Sequence, residues 1–195
     1  MKRITTLLAG AALMGACGGD HNPTAASARA PSAVTPALAR RNEGDGSSLE
    51  RDLATLRRVT APFHSFTVAS AAGWGAQITG CMVDPGGTGG MGFHYGNVAY
   101  IDGTAQVDKP QLLLFEPRAG GRMELVAVEY IIPYTFHARS AAPPVLYGQQ
   151  FQQVDSFGLW GLHVWIWKRN PSGLFAPWNP RVNCNATADA MVMAH

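Results

Sequence analysis

The most strand-like run of the chain is Leu159-Trp160-Gly161-Leu162-His163-Val164-Trp165-Ile166-Trp167. Strand side chains alternate, so Trp160, Leu162, Val164 and Ile166 share one face, and His163, Trp165 and Trp167 the other. Both faces are apolar apart from the histidine, so both should be covered. A second run, Leu125 to Ile132, holds a single carboxylate. Alternation puts Glu129 on a face with Leu125, Ala127 and Ile131.

Shorter strand signals surround these runs. Gln77 to Val83 reads as a strand, as do Val98 to Ile101, closed by Asp102-Gly103, and Gln111 to Phe115, stopped at Glu116-Pro117. Arg118 to Arg122, with paired glycines, is a hairpin loop whose second strand, Glu124 to Ile132, ends at Pro133. Val145 to Phe151 suits a short edge strand. Asn170-Pro171-Ser172-Gly173 turns the chain, and the proline-studded Leu174 to Pro180 reads as a packed loop.

Before the strands the period changes. Leu49, Leu53, Leu56, Phe63 and Trp74 fall near one helical face. Ser47 with Glu50 forms a capping box, which sets the first ordered element at Ser47. Pro62 either kinks this helix or lies in the first turn of a second one capped by Thr60, and Gly73 or Gly75 ends it. A helix followed by antiparallel strands is α+β: an N-terminal helix, kinked or split at Pro62, packed on a mostly antiparallel sheet. The alternative is a small β-barrel with an N-terminal helix.

The first 46 residues show neither period. Lys2 and Arg3 precede a short apolar run, Thr5 to Met14, too short for a stable membrane span. Leu13-Met14-Gly15-Ala16-Cys17 resembles a bacterial lipobox, with Met14 departing from the usual small or β-branched residue. The resemblance implies cleavage before Cys17 and lipidation of Cys17, giving a lipid-anchored protein of the bacterial cell envelope. An ordinary secretory signal with an incidental cysteine is the other reading. On the first, residues 1–16 are signal peptide, 17–46 a flexible tether rich in Ala, Pro, Gly and Ser, 47–184 one globular domain and 185–195 a frayed tail.

Composition supports a packed domain, at 47% hydrophobic and 14% charged residues. The net charge of +2 vanishes with Lys2 and Arg3: 15 basic residues less those two leave 13, against 13 acidic. A neutral chain without basic runs gives no footing for nucleic acid. Cys81 and Cys184 then remain as an even pair in an exported chain, for which a disulfide is the default and a catalytic thiol the alternative.

Three polar residues sit among apolar neighbours: His94 between Phe93 and Tyr95, Glu129 in its apolar run, and His163 in the tryptophan run. A lone buried carboxylate is costly, so Glu129 should be neutral, paired or bound to a cation. If the three segments are neighbours, two imidazoles and a carboxylate suit a divalent metal with open positions, or an acid/base pair. Each can also be satisfied alone, Glu129 for instance by Arg118 or Arg122. No HxH or HExxH spacing forces them together. The Asp84 to Gly92 loop lacks the GK[ST] of a phosphate loop, and no GxSxG elbow occurs.

The body also resembles secreted bacterial proteins bearing the strings GMGFHY, LVAVEY, LHVW and WNP. That resemblance implies domain limits of about Phe63 to Cys184 and no particular activity. The expected function is a non-catalytic binding or structural module with a pocket lined by His94, Tyr95, Glu129, His163, Trp165 and Trp167. The alternative is a metal-dependent enzyme using His94, Glu129 and His163. Partners would be the membrane, through Cys17, and a small molecule or an envelope protein. An exposed patch of Leu174, Phe175 and Trp178 would mark a protein partner.

Overall fold

The computed structural model describes residues 36–185, with the backbone alone at 36–45 and at 47. The lipobox-like stretch with Cys17, most of the segment expected to be a tether, and residues 186–195 lie outside the described residues. Two helices, α1 (Pro36–Thr60) and α2 (Phe66–Ala71), precede eight strands: β1 (Ala76–Val83), β2 (Gly90–Gly96), β3 (Leu112–Arg118), β4 (Arg122–Pro133), β5 (Val145–Leu146), β6 (Gln149–Gln150), β7 (Gln152–Val154) and β8 (Leu159–Val164). Six of them form one antiparallel sheet, ordered β1-β2-β3-β4-β8-β7. The sheet curls into a half-barrel with the helices on one face, which is α+β. β1 and β7 are not paired, so the barrel does not close.

The helical segment is split at Pro62, and the details differ from the sequence reading. α1 runs back to Pro36, so Ser47 lies within it rather than at its start. Ala37, Leu38, Ala39, Arg40 and Arg41 are all good helix formers, which a search for a capping pair overlooks. Pro62 falls in a 3-10 turn, Ala61–His64. Thr60 makes no cap, because its hydroxyl donates back to the Leu56 carbonyl at 2.7 Å. Ser65 caps α2 instead, accepting from Val68 N. Gly73, at φ +111°, turns the chain back so that Trp74 enters the core.

One expected strand is misplaced. Val98–Tyr100 is a 3-10 turn capped by the Asn97 side chain, and the strand precedes it as β2. Gly90, Gly92 and Gly96 hid it, since glycine is depleted in strands. They permit close approach: a Cβ on Gly92 would lie 2.4 Å from the Phe115 carbonyl oxygen. β3 continues through Pro117 near its end, where it pairs with β4 alone. Val145 to Phe151 is not one strand. Tyr147 (φ +57°) and Gly148 (φ +70°) form a two-residue turn that makes β5 and β6 a small hairpin.

The helix-facing side of the sheet holds the main core, with Leu53, Leu56 and Trp74 packed on Leu113, Phe115, Val128, Tyr130, Trp160, Leu162 and Val164. The opposite side is built on Leu112, Leu114, Ala127, Ile131, Trp165 and Val182. Two departures from alternation matter. Leu114 pairs with Ala127 and Phe115 with Leu125, so Val126 is an extra residue, a β-bulge. It puts Leu125 on the helix side, away from Glu129. After Val164 the Ile166 amide bonds to the Val164 carbonyl, while the amides of Trp167 and Lys168 both bond to the Val126 carbonyl. This turn swings Trp167 to the helix side, where its Nε1 donates to Thr60 Oγ1 at 3.1 Å.

Cys81 and Cys184 form a disulfide that fixes the C-terminal segment to β1. It closes 103 residues of chain, worth about 4–5 kcal/mol in the chain-entropy model. Disulfides persist in oxidising compartments. No helix among the described residues is long and apolar enough to cross a membrane.

Candidate metal centre

His94, Glu129 and His163 converge on the side of the sheet away from the helices. Cross-strand register does this. Glu129 on β4 stands directly opposite His163 on β8. His94 on β2 faces Leu114 of β3, one pleat from Leu112, which faces Glu129. The curl of the half-barrel carries His94 over β3 toward Glu129. His94 Nε2 lies 3.5 Å from Glu129 Oε2, and His163 Nε2 lies 3.8 Å from Glu129 Oε1. One potential ligand atom from each residue falls within 4.8 Å of the others, and all three side chains are buried.

Burial sets their charge states. With no cation beside it, Glu129 is pushed up to about 8 by desolvation. Desolvation lowers His94 to about 4, with partial opposition from the Gly92 backbone. It lowers His163 to about 3, and the nearby His94 adds to the effect. At neutral pH all three groups are therefore uncharged, and their contacts are not ion pairs.

Hydrogen bonding fixes which nitrogen of His94 is free. The Thr79 hydroxyl has one proton and donates it to the Gly80 carbonyl at 2.9 Å. It must then accept from His94 Nδ1–H, at 2.8 Å. Nε2 is left with its lone pair toward Glu129. The ring of His163 stacks on Trp165, with planes 12° apart. Its Nε2 is buried and has no hydrogen-bond partner among the described residues. Buried polar atoms are nearly always satisfied, so this one calls for an explanation.

Gly161 makes the space. A Cβ there would lie 2.8 Å from Glu129 Oε1, so only glycine leaves the carboxylate in place. The trio opens into a cavity of about 300 Å³ whose walls include Ile78, Met82, Met91, Leu112, Phe157 and Trp178. Among the described residues, no other acidic or basic side chain lines it.

Of the remaining sequence candidates, Trp165 adjoins the site by its stacking on His163 but does not line the cavity, and the others lie elsewhere. Tyr95 points to the helix side, against Phe66 and Phe115. Trp167 lies on that side too, and Trp165 is held beneath the Ala176 carbonyl by its Nε1. None of the three lines the cavity. Arg118 pairs with Glu116 and Glu124, not with Glu129. Leu174 and Phe175 pack against the main core and Trp178 lines the cavity, so they form no exposed patch. Asp84 accepts from the amides of Gly86 and Thr88, which makes the glycine loop a self-satisfied turn. Sequence reasoning missed Thr79, Gly161 and the cavity wall. Gly161 carried a signal, a glycine inside an apolar strand.

No protein-family model, no curated protein and no solved structure matches this chain. Function has to be argued from the site itself.

Proposed function

We propose that this is an exported, envelope-anchored binding protein that holds one divalent first-row transition-metal ion between His94, Glu129 and His163 and offers the cavity above it to a small molecule. The observation that carries the reading is the unpartnered His163 Nε2, aimed at a carboxylate that also lacks a cation. Two imidazoles and a carboxylate form a donor set suited to zinc, iron or cobalt, with positions left open. Ligand bonds of about 2.0–2.2 Å set neighbouring tetrahedral donors roughly 3.3 Å apart. The 3.5 and 3.8 Å separations approach that span and are long for direct hydrogen bonds. Thr79 supplies the outer hydrogen bond that orients a metal-ligating histidine.

Binding is favoured over catalysis because, among the described residues, no titratable side chain beyond the trio lines the cavity to move a proton. Elemental analysis of protein loaded with Zn²⁺ and freed of excess tests the centre. One ion per chain is expected, lost in Glu129→Gln while the far-ultraviolet spectrum stays unchanged. Retention of the ion in that variant, or no uptake by the wild type, sinks the proposal. The anchor rests on the lipobox-like Leu13 to Cys17. Radiolabelled palmitate should enter the protein and fail to enter Cys17→Ala, which should be released in soluble form.

A further inference from the structure

We infer that the ligand taken by this cavity is a short apolar molecule carrying one monoanionic head, such as a carboxylate, which completes the coordination of the metal. The inference rests on the metal centre proposed above. It begins with charge. A divalent ion brings two positive charges, a deprotonated Glu129 removes one, and the two imidazoles bind as neutral donors. One positive charge is left over in a buried site, where an unpaired charge is costly. Among the described residues nothing neutralises it, because His94, Glu129 and His163 are the only titratable ones in the lining. A monoanion from outside does so. A dianion would overshoot, and a cation would add to the excess.

The walls define the rest of the molecule. Next to the trio they are Leu112 and Ile131, and Phe157 and Ile78 are half exposed. Among the described residues, Thr79, Gln152 and the indole of Trp178 are the other lining side chains that carry a polar group, and Thr79 is already engaged with His94. A second polar group on the ligand would thus meet only Gln152 and the Trp178 indole, against a wall that is otherwise apolar. At about 300 Å³ the cavity lies at the small end of ligand sites, which fits a short chain. Methylene burial then sets the affinity, at about fourfold per carbon enclosed.

Co²⁺-loaded protein provides the test, because its visible absorption reports the coordination of the ion. Acetate, butyrate, hexanoate and octanoate are titrated in turn, with octylamine as the cationic control. The expected result is a spectral change on carboxylate binding, with affinity rising about fourfold per methylene along the series. Octylamine should leave the spectrum unchanged at pH 7. Phe157→Ala, at a half-exposed position that is safe for folding, should weaken octanoate several-fold and leave acetate and Co²⁺ uptake alone. If Co²⁺ binds but octanoate is no tighter than acetate, or octylamine binds equally well, the inference is overturned and the metal centre stands. If Co²⁺ does not bind, both fall.

Discussion

Two carboxylates are buried in the described part of this domain, Glu116 on β3 and Glu129 on β4. Glu116 is fully enclosed and fully served. Lys168 Nζ and Arg118 bond Oε2, and the Asn183 amide donates to Oε1 at 3.1 Å. Glu129 has no cation and no donor within ordinary hydrogen-bond distance, only two imidazoles at 3.5 and 3.8 Å. A carboxylate that is merely structural looks like the first, tied to a cation and a backbone amide. The second keeps acceptor capacity that the protein does not use, next to a histidine nitrogen in the same condition. That contrast separates a fold-holding group from a ligand-holding one.

The largest effect that tests the contrast is on stability. Glu116→Ala leaves Lys168 largely buried without its partner and should cost about 3–5 kcal/mol by urea denaturation. Glu129→Gln, measured free of metal at pH 6.5, should cost under about 1 kcal/mol, since a neutral amide replaces a neutral acid. Equal losses would make Glu129 as structural as Glu116 and erase the distinction. Next comes Thr79→Val, which removes the acceptor for His94 Nδ1. It should weaken Zn²⁺ binding about 10–100-fold in chelator competition, while Glu116 variants that fold bind normally.

The third effect is pH dependence without metal. His94 and His163 are lowered to about 4 and 3 from an ordinary 6.5, so their stabilising contribution is present above 6.5 and lost as pH falls toward 4. Glu129 is raised from 4.5 to about 8, so its contribution is complete below 4.5 and lost as pH rises to 8. Between 4.5 and 6.5 two imidazoles outweigh one carboxyl, and stability climbs with pH. Above 6.5 Glu129 dominates, and roughly 1 kcal/mol should disappear by pH 8. Denaturation with a chelator present at pH 5, 6.5 and 8 shows whether the maximum lies near 6.5. In Glu129→Gln the alkaline loss should be absent. Metal reverses the alkaline slope, because the ion binds the deprotonated acid. The smallest effect is a control. Tyr95→Phe removes an exposed contact to Gln77 on the helix side and should change metal affinity by less than about twofold.

Much of the frame was legible in the chain. Alternation placed Trp160, Leu162 and Val164 together on the core side, and helical spacing placed Leu53 and Leu56 against them, whereas Trp74 reaches the core through the turn at Gly73 and not from a helix. The pairing of Cys81 with Cys184 followed from an even count in a chain with an export-like start. Where reading failed, local geometry overrode pattern. Glycines concealed β2, the bulge at Val126 moved Leu125 across the sheet, and a turn after Val164 took Trp167 away from His163.

By itself the sequence determined that Glu129 and His163 stand in apolar strands, because neighbours along a strand fix the polarity of each face; of His94 it showed only aromatic chain neighbours, Phe93 and Tyr95. It could not determine that they meet. Strand order, register and curl bring together residues 35 and 34 positions apart in the chain, and those depend on long-range pairing that no short motif encodes. Only the tertiary structure decided that Gly161 leaves room for the acid, that Thr79 orients one imidazole, and that His163 Nε2 is left without a partner.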